Sequence, residues 1–191
     1  ILYEERDIQK AIKQIETLPY GKRYSFNGID IKFFDAGHIL GSASVEIETY
    51  GKKIVFSGDI GRKDYPILRD PQTPPEADYL VIESTYGNRL HKGVNESINE
   101  LIDAIKNTFK RGGNVVIPAF AVGRTQDLLY ILNRSVKRGL IEPLNVFLDS
   151  PLAEEATKIY LSHLEVFDDE ALRELRNMKK TALKLHFVES V

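Results

Sequence analysis

The hydrophobic period of this sequence changes partway along the chain, and that change limits the folds open to it. Residues 45–49 alternate apolar and polar side chains, Tyr50 and Gly51 follow as a turn, and residues 53–56 return as a second apolar run. This pattern predicts a β-hairpin. From about residue 80 onward, helical stripes alternate with short apolar runs. This βαβα order predicts an α/β fold with a mostly parallel sheet flanked by helices.

Apolar spacing predicts the remaining elements. Helical periodicity indicates helices at residues 2–17, 94–109, 124–137 and 152–161. Short apolar runs indicate strands at residues 31–36, 79–82, 115–117, 146–148 and 183–188. Because the runs at 79–82 and 115–117 are continuous, we expect those strands to be covered on both faces. The change of period divides the chain into two expected domains, residues 1–88 and residues 89–191.

Composition excludes several classes of site. The sequence has 191 residues and no cysteine, which excludes disulfides and leaves His, Asp and Glu as the available metal ligands. The net charge of -2 gives no general attraction to nucleic acid, so any RNA contact must use a local basic patch. No signal peptide and no apolar run long enough to span a membrane is present, and we expect a cytoplasmic protein without membrane contact.

Three side chains stand where strands are predicted to end. His38 lies in a loop between glycines, where it is either an exposed metal ligand or a histidine that caps a turn. Asp59 directly follows a strand, where a carboxylate can bridge two metals or cap its own backbone. Glu83 closes an apolar run, a position typical of ligand-binding carboxylates but also of helix N-caps. Each pattern alone leaves both interpretations open.

Two predicted loop–helix junctions carry polar groups. Gly123 and Arg124 stand at the start of a predicted helix. The free N–H groups at the N-terminus of that helix and the bidentate guanidinium of Arg124 suit a phosphate. Neither a GxGxxG nor a P-loop motif accompanies them, so a nucleotide site is disfavoured. At the second junction, Ser150 and Pro151 indicate helix initiation. Basic residues on the predicted helix surfaces are explained by solvated faces, with a nucleic-acid patch as the alternative.

The order of these motifs resembles one family. The segments are DAGHILGSA at residues 35–43, FSGDIG at residues 56–61 and IESTYGNR at residues 82–89, followed by residues 114–125 and 149–153. Together they resemble the β-CASP branch of the metallo-β-lactamase superfamily, whose members include the ribonucleases that cleave pre-mRNA 3′ ends. The resemblance implies part of a metallo-β-lactamase αββα sandwich, followed by part of a β-CASP domain.

The resemblance also implies a site and its cofactor. His38 corresponds to a zinc ligand, Asp59 to the catalytic carboxylate that bridges two zinc ions, and Glu83 to a catalytic acidic residue that orients a histidine acting as general acid. In the intact enzyme we expect hydrolysis of RNA phosphodiesters with two zinc ions. The residues expected to contact RNA are Ser84, Thr85, Tyr86, Arg89, Gly123 and Arg124. The expected protein partners are either a second copy of the chain or subunits of a processing complex.

The sequence also departs from the family pattern. The zinc motif HxHxDH is absent, and so are the two late motif histidines, since His186 does not match either in context. We therefore expect an internal segment of a larger enzyme. A catalytic zinc site needs about three protein ligands, and His38 and Asp59 supply two. The chain alone is expected to bind zinc weakly and to be inactive or nearly so.

Two other classes of function remain as alternatives. A non-catalytic scaffold subunit of an RNA-processing complex would explain the missing motifs, but it has no need of His38, Asp59 and Glu83. A small-molecule metallo-hydrolase would use the same metal fold. The β-CASP-like second half disfavours it, because the family uses that domain as a lid that binds nucleic acid.

Overall fold

The structure is a computed structural model that describes residues 2–177 together with residues 187 and 188. Its helices are α1 Glu5–Ile12, α2 Val94–Lys110, α3 Arg124–Lys137, α4 Pro151–Ser162 and α5 Asp169–Asn177, with a 3₁₀ turn at Leu164–Val166. Its strands are β1 Arg23–Phe26, β2 Ile29–Asp35, β3 Ala43–Thr49, β4 Lys52–Phe56, β5 Tyr79–Val81, β6 Val146–Phe147 and β7 Phe187–Val188. None of the helices in this part of the chain is both long and apolar enough to cross a bilayer.

The main sheet has five strands in the order β1-β2-β3-β4-β5, and only the β4–β5 pairing is parallel. The prediction of a mostly parallel sheet is therefore wrong for this sheet. The reason lies in the short connections. Asn27 and Gly28, and likewise Tyr50 and Gly51, form two-residue turns with positive φ at both positions. Such turns join antiparallel neighbours, whereas parallel strands need a long crossover like the one from β4 to β5.

The second half confirms the predicted helices better than the predicted strands. The helix predicted at 124–137 matches α3, and Ser150 caps α4 by accepting a hydrogen bond from the Ala153 N–H at 3.2 Å. Residues 115–117 form no strand, and Val116 is 90% exposed. The expectation that β5 is covered on both faces is also wrong for the described residues, because all three of its residues are exposed at the sheet edge.

Two apolar clusters meet on α3. Leu129 and Tyr130 pack with Ile67, Tyr160 and Phe167. Leu132 of the same helix packs with residues from α2 and the loop after α3, namely Ile102, Ile105 and Ile141. Ile67 belongs to the connection between β4 and β5, so the first cluster joins this connection to α3 and α4. This packing brings the two halves of the sequence together beside the candidate site. The predicted domain boundary near residue 88 stays a prediction.

In the last predicted strand, residues 187 and 188 form β7 and pair in parallel with β6. The remainder of that prediction, residues 183–186, lies outside the described part of the chain, as does His186.

Candidate metal site and nucleic-acid interface

Three loops follow strands of the main sheet whose carboxyl ends lie at the same end of the sheet. Strand β3 is antiparallel to both β2 and β4, so β2 and β4 run in the same direction, and β5 is parallel to β4. The carboxyl ends of β2, β4 and β5 therefore lie at the same edge. The loops that follow them carry His38, Asp59 and Glu83, respectively. The topology accordingly brings together the three residues that the sequence motifs single out.

Close backbone contact holds the first two loops together. The Gly61 N–H donates to the Ala36 carbonyl at 2.8 Å, and a Cβ at Gly61 would lie 1.8 Å from the Gly37 carbonyl oxygen. A Cβ at Gly58 would likewise lie 2.7 Å from the Ala43 oxygen. Side chains at these positions would push the loops apart. The glycines in the two motifs are thus explained by the approach of one backbone to the other.

His38 and Asp59 face each other across this contact. The His38 Nε2 atom lies 4.0 Å from Asp59 Oδ2, and the two side chains are 44% and 76% exposed. Ser42 Oγ accepts a hydrogen bond from the His38 backbone N–H at 3.1 Å, which fixes the backbone at His38. Within the described residues no backbone N–H donates to the Asp59 carboxylate, so the capping alternative for Asp59 has no support there.

His38 Nε2 and Asp59 Oδ2 fit two ligand positions of a zinc site. Two ligand atoms on one tetrahedral zinc stand about 3.4 Å apart, given bond lengths of about 2.0–2.2 Å. The 4.0 Å between His38 Nε2 and Asp59 Oδ2 needs only a small rotation of either exposed side chain. Across residues 2–177 no group of three His, Cys, Asp or Glu residues is arranged to hold a metal. The described residues therefore supply two donors toward a metal site.

Glu83 connects the third loop to the second. Its Oε1 atom accepts the Ile60 N–H at 3.0 Å, and its Oε2 atom accepts the Thr85 N–H at 3.3 Å. These hydrogen bonds, that of Ile60 first, hold the pKa of Glu83 below its usual value, and nearby His38 acts in the same direction. The carboxylate is therefore ionised at neutral pH. It caps its own loop and also accepts a hydrogen bond from the backbone next to Asp59, while its role as a site residue stays a prediction.

Residues from the second half of the chain contact the loop that carries His38. The Leu40 N–H donates to the hydroxyl of Tyr160 on α4 at 3.2 Å, and Tyr160 is 1% exposed. Gly123 has φ +84°, and a Cβ there would lie 2.7 Å from Ile39 Cγ2. The start of α3 and the middle of α4 thus both touch residues adjacent to His38.

Gln126 fixes the loop that contains Gly123. This side chain is fully buried; its Oε1 accepts the Gly123 N–H at 2.8 Å, and its Nε2 donates to the Ala121 carbonyl at 3.1 Å and to Thr157 Oγ1 at 3.0 Å. Neither Gln126 nor Tyr160 was among the predicted site residues. For Gln126 a signal existed, because a Gln three residues after a helix N-cap can accept the N-cap backbone N–H, the half of a capping box that a glycine N-cap permits. Tyr160 has no comparable signal in its own segment.

The predicted RNA-contact residues occupy different surroundings. Ser84, Thr85, Tyr86 and Arg89 are all exposed on the loop after β5. Within that loop the Arg89 guanidinium lies 4.8 Å from the Tyr86 ring centroid, and the His91 ring meets Tyr86 edge-on at 4.4 Å. In the other predicted segment, the Arg124 side chain is 57% exposed, but Gly123 is buried. Gly123 therefore serves close packing, while the other five side chains are open to a ligand.

Sequence comparison finds a matching domain and relatives of known name. Residues 125–191 match the Beta-Casp domain family. The chain is 35% identical over 164 residues to "Ribonuclease TTHA0252" of Thermus thermophilus, covering 86% of this chain and 38% of that protein. It is 41% identical over 166 residues to an "RNase J-like protein" of Methanocaldococcus jannaschii, covering 85% and 39%. It is 30% identical over 192 residues to "Endoribonuclease YSH1" of Yarrowia lipolytica, covering 100% and 23%. The chain thus spans well under half the length of these relatives.

Proposed function

Because this chain belongs to the β-CASP family, we propose that it is part of a metal-dependent ribonuclease that hydrolyses RNA phosphodiester bonds. The observation that carries the proposal is the pairing of His38 Nε2 with Asp59 Oδ2 at 4.0 Å, beside the Glu83 carboxylate. An imidazole and a carboxylate that converge at a sheet edge are the donor types that bind zinc.

In this proposal, His38 and Asp59 would hold zinc in the whole protein. Zinc bound there would supply an activated water and would polarise the phosphate. The two side chains are exposed and have no third donor among the described residues. We therefore propose that the chain alone binds zinc weakly and has little or no activity, and that further ligands come from the rest of the protein.

Glu83 has a positioning role in the same proposal. Hydrogen bonds from the Ile60 N–H, the Thr85 N–H and the Thr85 side chain use three of its about four acceptor sites, so one remains. The ionised carboxylate can therefore accept a further hydrogen bond from a protonated histidine, which would hold that histidine as the general acid for the leaving oxygen. Through the Ile60 N–H, Glu83 also keeps Asp59 beside His38.

The RNA-binding surface is proposed on both sides of the metal loops. Tyr86 is 47% exposed and offers a stacking face for a base, while Arg89 and Arg124 offer cations to the backbone. Ser84 and Thr85 would donate hydroxyl hydrogen bonds to phosphates. We propose a cytoplasmic RNA-processing role, in which the protein partner is either a second copy or a subunit of a processing complex.

Metal-dependent cleavage of labelled RNA by the whole protein tests the proposal. Chelation, His38→Ala and Asp59→Asn should each reduce cleavage at least about a hundredfold, because the zinc ligands are lost. The matched control is His163→Ala, since His163 pairs with Glu165 at 2.9 Å in the turn after α4 and should leave the rate unchanged. Cleavage that survives both site variants would refute the proposal. RNA binding without any cleavage would instead favour the scaffold function.

A further inference from the structure

Two arginines from different parts of the chain face the same tyrosine ring. The Arg62 Cζ atom lies 5.7 Å from the centroid of the Tyr65 ring, and the Arg124 Cζ atom lies 5.6 Å from it. Arg124 also donates from Nη1 to the Tyr65 hydroxyl. Arg62 precedes the ring in the connection after β4, whereas Arg124 begins α3. Both guanidinium groups therefore contact one ring.

The positive charge of this cluster is only partly compensated by ion pairs. Arg62 donates from Nη2 to the Lys92 carbonyl at 2.8 Å and forms no ion pair within residues 2–177. The carboxylate next to Arg124 is Asp127, at 3.9 Å. Burial raises the pKa of Asp127 to about 7, against the opposing effect of Arg124. At neutral pH the two arginines thus carry two full positive charges beside part of one negative charge on Asp127. The cavity on the Arg62 side is lined by three further carboxylates, Asp64, Asp70 and Glu96.

The cluster also lies next to the metal loops. Arg62 is three residues beyond Asp59, and Arg124 directly follows Gly123, whose backbone packs on Ile39 next to His38. Each guanidinium retains donors that no described residue uses, because a guanidinium has five N–H groups and these two arginines use one or two each. Free, fork-shaped donors of this kind match the oxygens of a phosphate.

We propose that Arg62 and Arg124, spaced by Tyr65, form a phosphate-binding site that holds a backbone phosphodiester of single-stranded RNA beside the metal loops. The identity of the ligand as RNA rests on the proposed function, whereas affinity for a phosphate group does not. The site would fix the register of the strand relative to His38 and Asp59. It would carry no base specificity, because phosphate contacts position a strand without identifying its sequence.

A titration with inorganic phosphate tests the site without RNA. The Nε–Hε resonances of the arginine side chains are followed by NMR in the nitrogen-labelled chain, and those of Arg62 and Arg124 are assigned by their loss in Arg62→Lys and Arg124→Lys. Both resonances should shift together and saturate, while that of exposed Arg111 at the end of α2 should move far less. Equal movement of all three resonances, or none in the pair, would overturn the site.

Binding of a short single-stranded RNA, measured by fluorescence anisotropy over a range of salt concentrations, tests the ligand. Arg62→Ala and Arg124→Ala should each weaken binding about tenfold. Each should also reduce the magnitude of the salt slope by about 0.7, the value for one lost phosphate contact on a single strand. Arg111→Ala is the matched control and should change neither quantity.

The outcomes separate this site from the proposed function. RNA binding by the wild-type chain that is indifferent to Arg62→Ala and Arg124→Ala would overturn the phosphate site and leave the ribonuclease proposal standing. Cleavage by the whole protein that is independent of His38 and Asp59 would refute the ribonuclease mechanism, while the phosphate titration would still decide the site.

Discussion

The hydroxyl of Tyr160 accepts a hydrogen bond from the Leu40 N–H at 3.2 Å, and the two residues are 120 positions apart in the sequence. Leu40 lies two residues after His38, so a buried side chain of α4 holds the loop that presents the histidine. Burial is the main cause that raises the pKa of Tyr160, and the phenol therefore stays neutral at physiological pH. Packing in the second half is thereby coupled to the geometry of the metal loop.

Removal of that hydroxyl should destabilise the chain. In Tyr160→Phe the Leu40 N–H loses its partner in a partly buried place, which costs about 1–2 kcal/mol of unfolding free energy. Urea denaturation measures the change, and Tyr50→Phe at a fully exposed turn is the control that should show none. Equal stability of the two variants would mean that the hydrogen bond contributes nothing.

Contact between Gly123 and Ile39 should be visible as a non-additive effect. Gly123→Ala introduces a Cβ 2.7 Å from Ile39 Cγ2 at φ +84°, so both a clash and backbone strain are expected, at about 2–3 kcal/mol together. Gly139→Ala, at φ +68° with no atom within 4 Å, should show backbone strain alone, at about 1 kcal/mol. Gly123, at φ +84° and ψ -79°, lies in a more strained region of the backbone.

A double variant separates the clash from the strain. Ile39→Ala removes the Cγ2 atom, so in that background Gly123→Ala should cost less than in the wild type, and the cost that remains is the backbone strain at Gly123. If the cost of Gly123→Ala is the same with and without the Ile39 side chain, the approach of the α3 loop to the histidine loop is not as close as described.

Stability should depend on pH through Asp127. Its folded pKa of about 7 lies above the usual 3.8 because the side chain is buried. A raised carboxyl pKa favours folding when the group is protonated, so this contribution is complete below about pH 4 and is lost as pH rises to about 7. Above that pH the wild-type chain should be less stable than Asp127→Asn by up to about 4 kcal/mol.

Denaturant unfolding of the two proteins across this pH range measures the difference. The gap in unfolding free energy between Asp127→Asn and the wild type should widen from pH 4 to pH 7 and then level off. A comparison of Asp169→Asn with the wild type, at an exposed helix start, should show no such widening. A gap that is constant with pH would contradict the burial of an ionisable Asp127.

Local sequence patterns predicted the elements that local contacts determine. The hairpin of β3 and β4 and the bounds of α3 follow from periodicity and turn residues, and both were predicted from them. Strand β1 was not predicted, although Asn27 and Gly28 are a typical hairpin turn and Tyr24 and Phe26 alternate with polar residues. The strand has only four residues, and all of them are exposed.

Elements that depend on distant partners were predicted poorly. The alternation in β3 indicated that Val45 and Ile47 face the core, yet Ser44 and Glu46 are the buried residues, and Glu46 lies 3.6 Å from Lys53. An apolar run such as 115–117 indicates a tendency to be covered but does not identify the covering element. The same limit applies to the site. Motif order identified His38, Asp59 and Glu83, whereas the supports at Gln126 and Tyr160 depend on contacts between residues far apart in the sequence.

Zinc titration of the 191-residue chain, with the His38 ring resonances followed by NMR, is the most direct test of the metal site. We expect that the His38 resonances respond to zinc with weak affinity and that Asp59→Asn lowers this affinity at least about tenfold. The resonances of His91, which contacts the Tyr86 ring and has no carboxylate partner among the described residues, should not respond at the same concentrations. A response of His38 that is unchanged by Asp59→Asn, or no response of His38 at all, would contradict the claim that these two residues form one metal-binding pair.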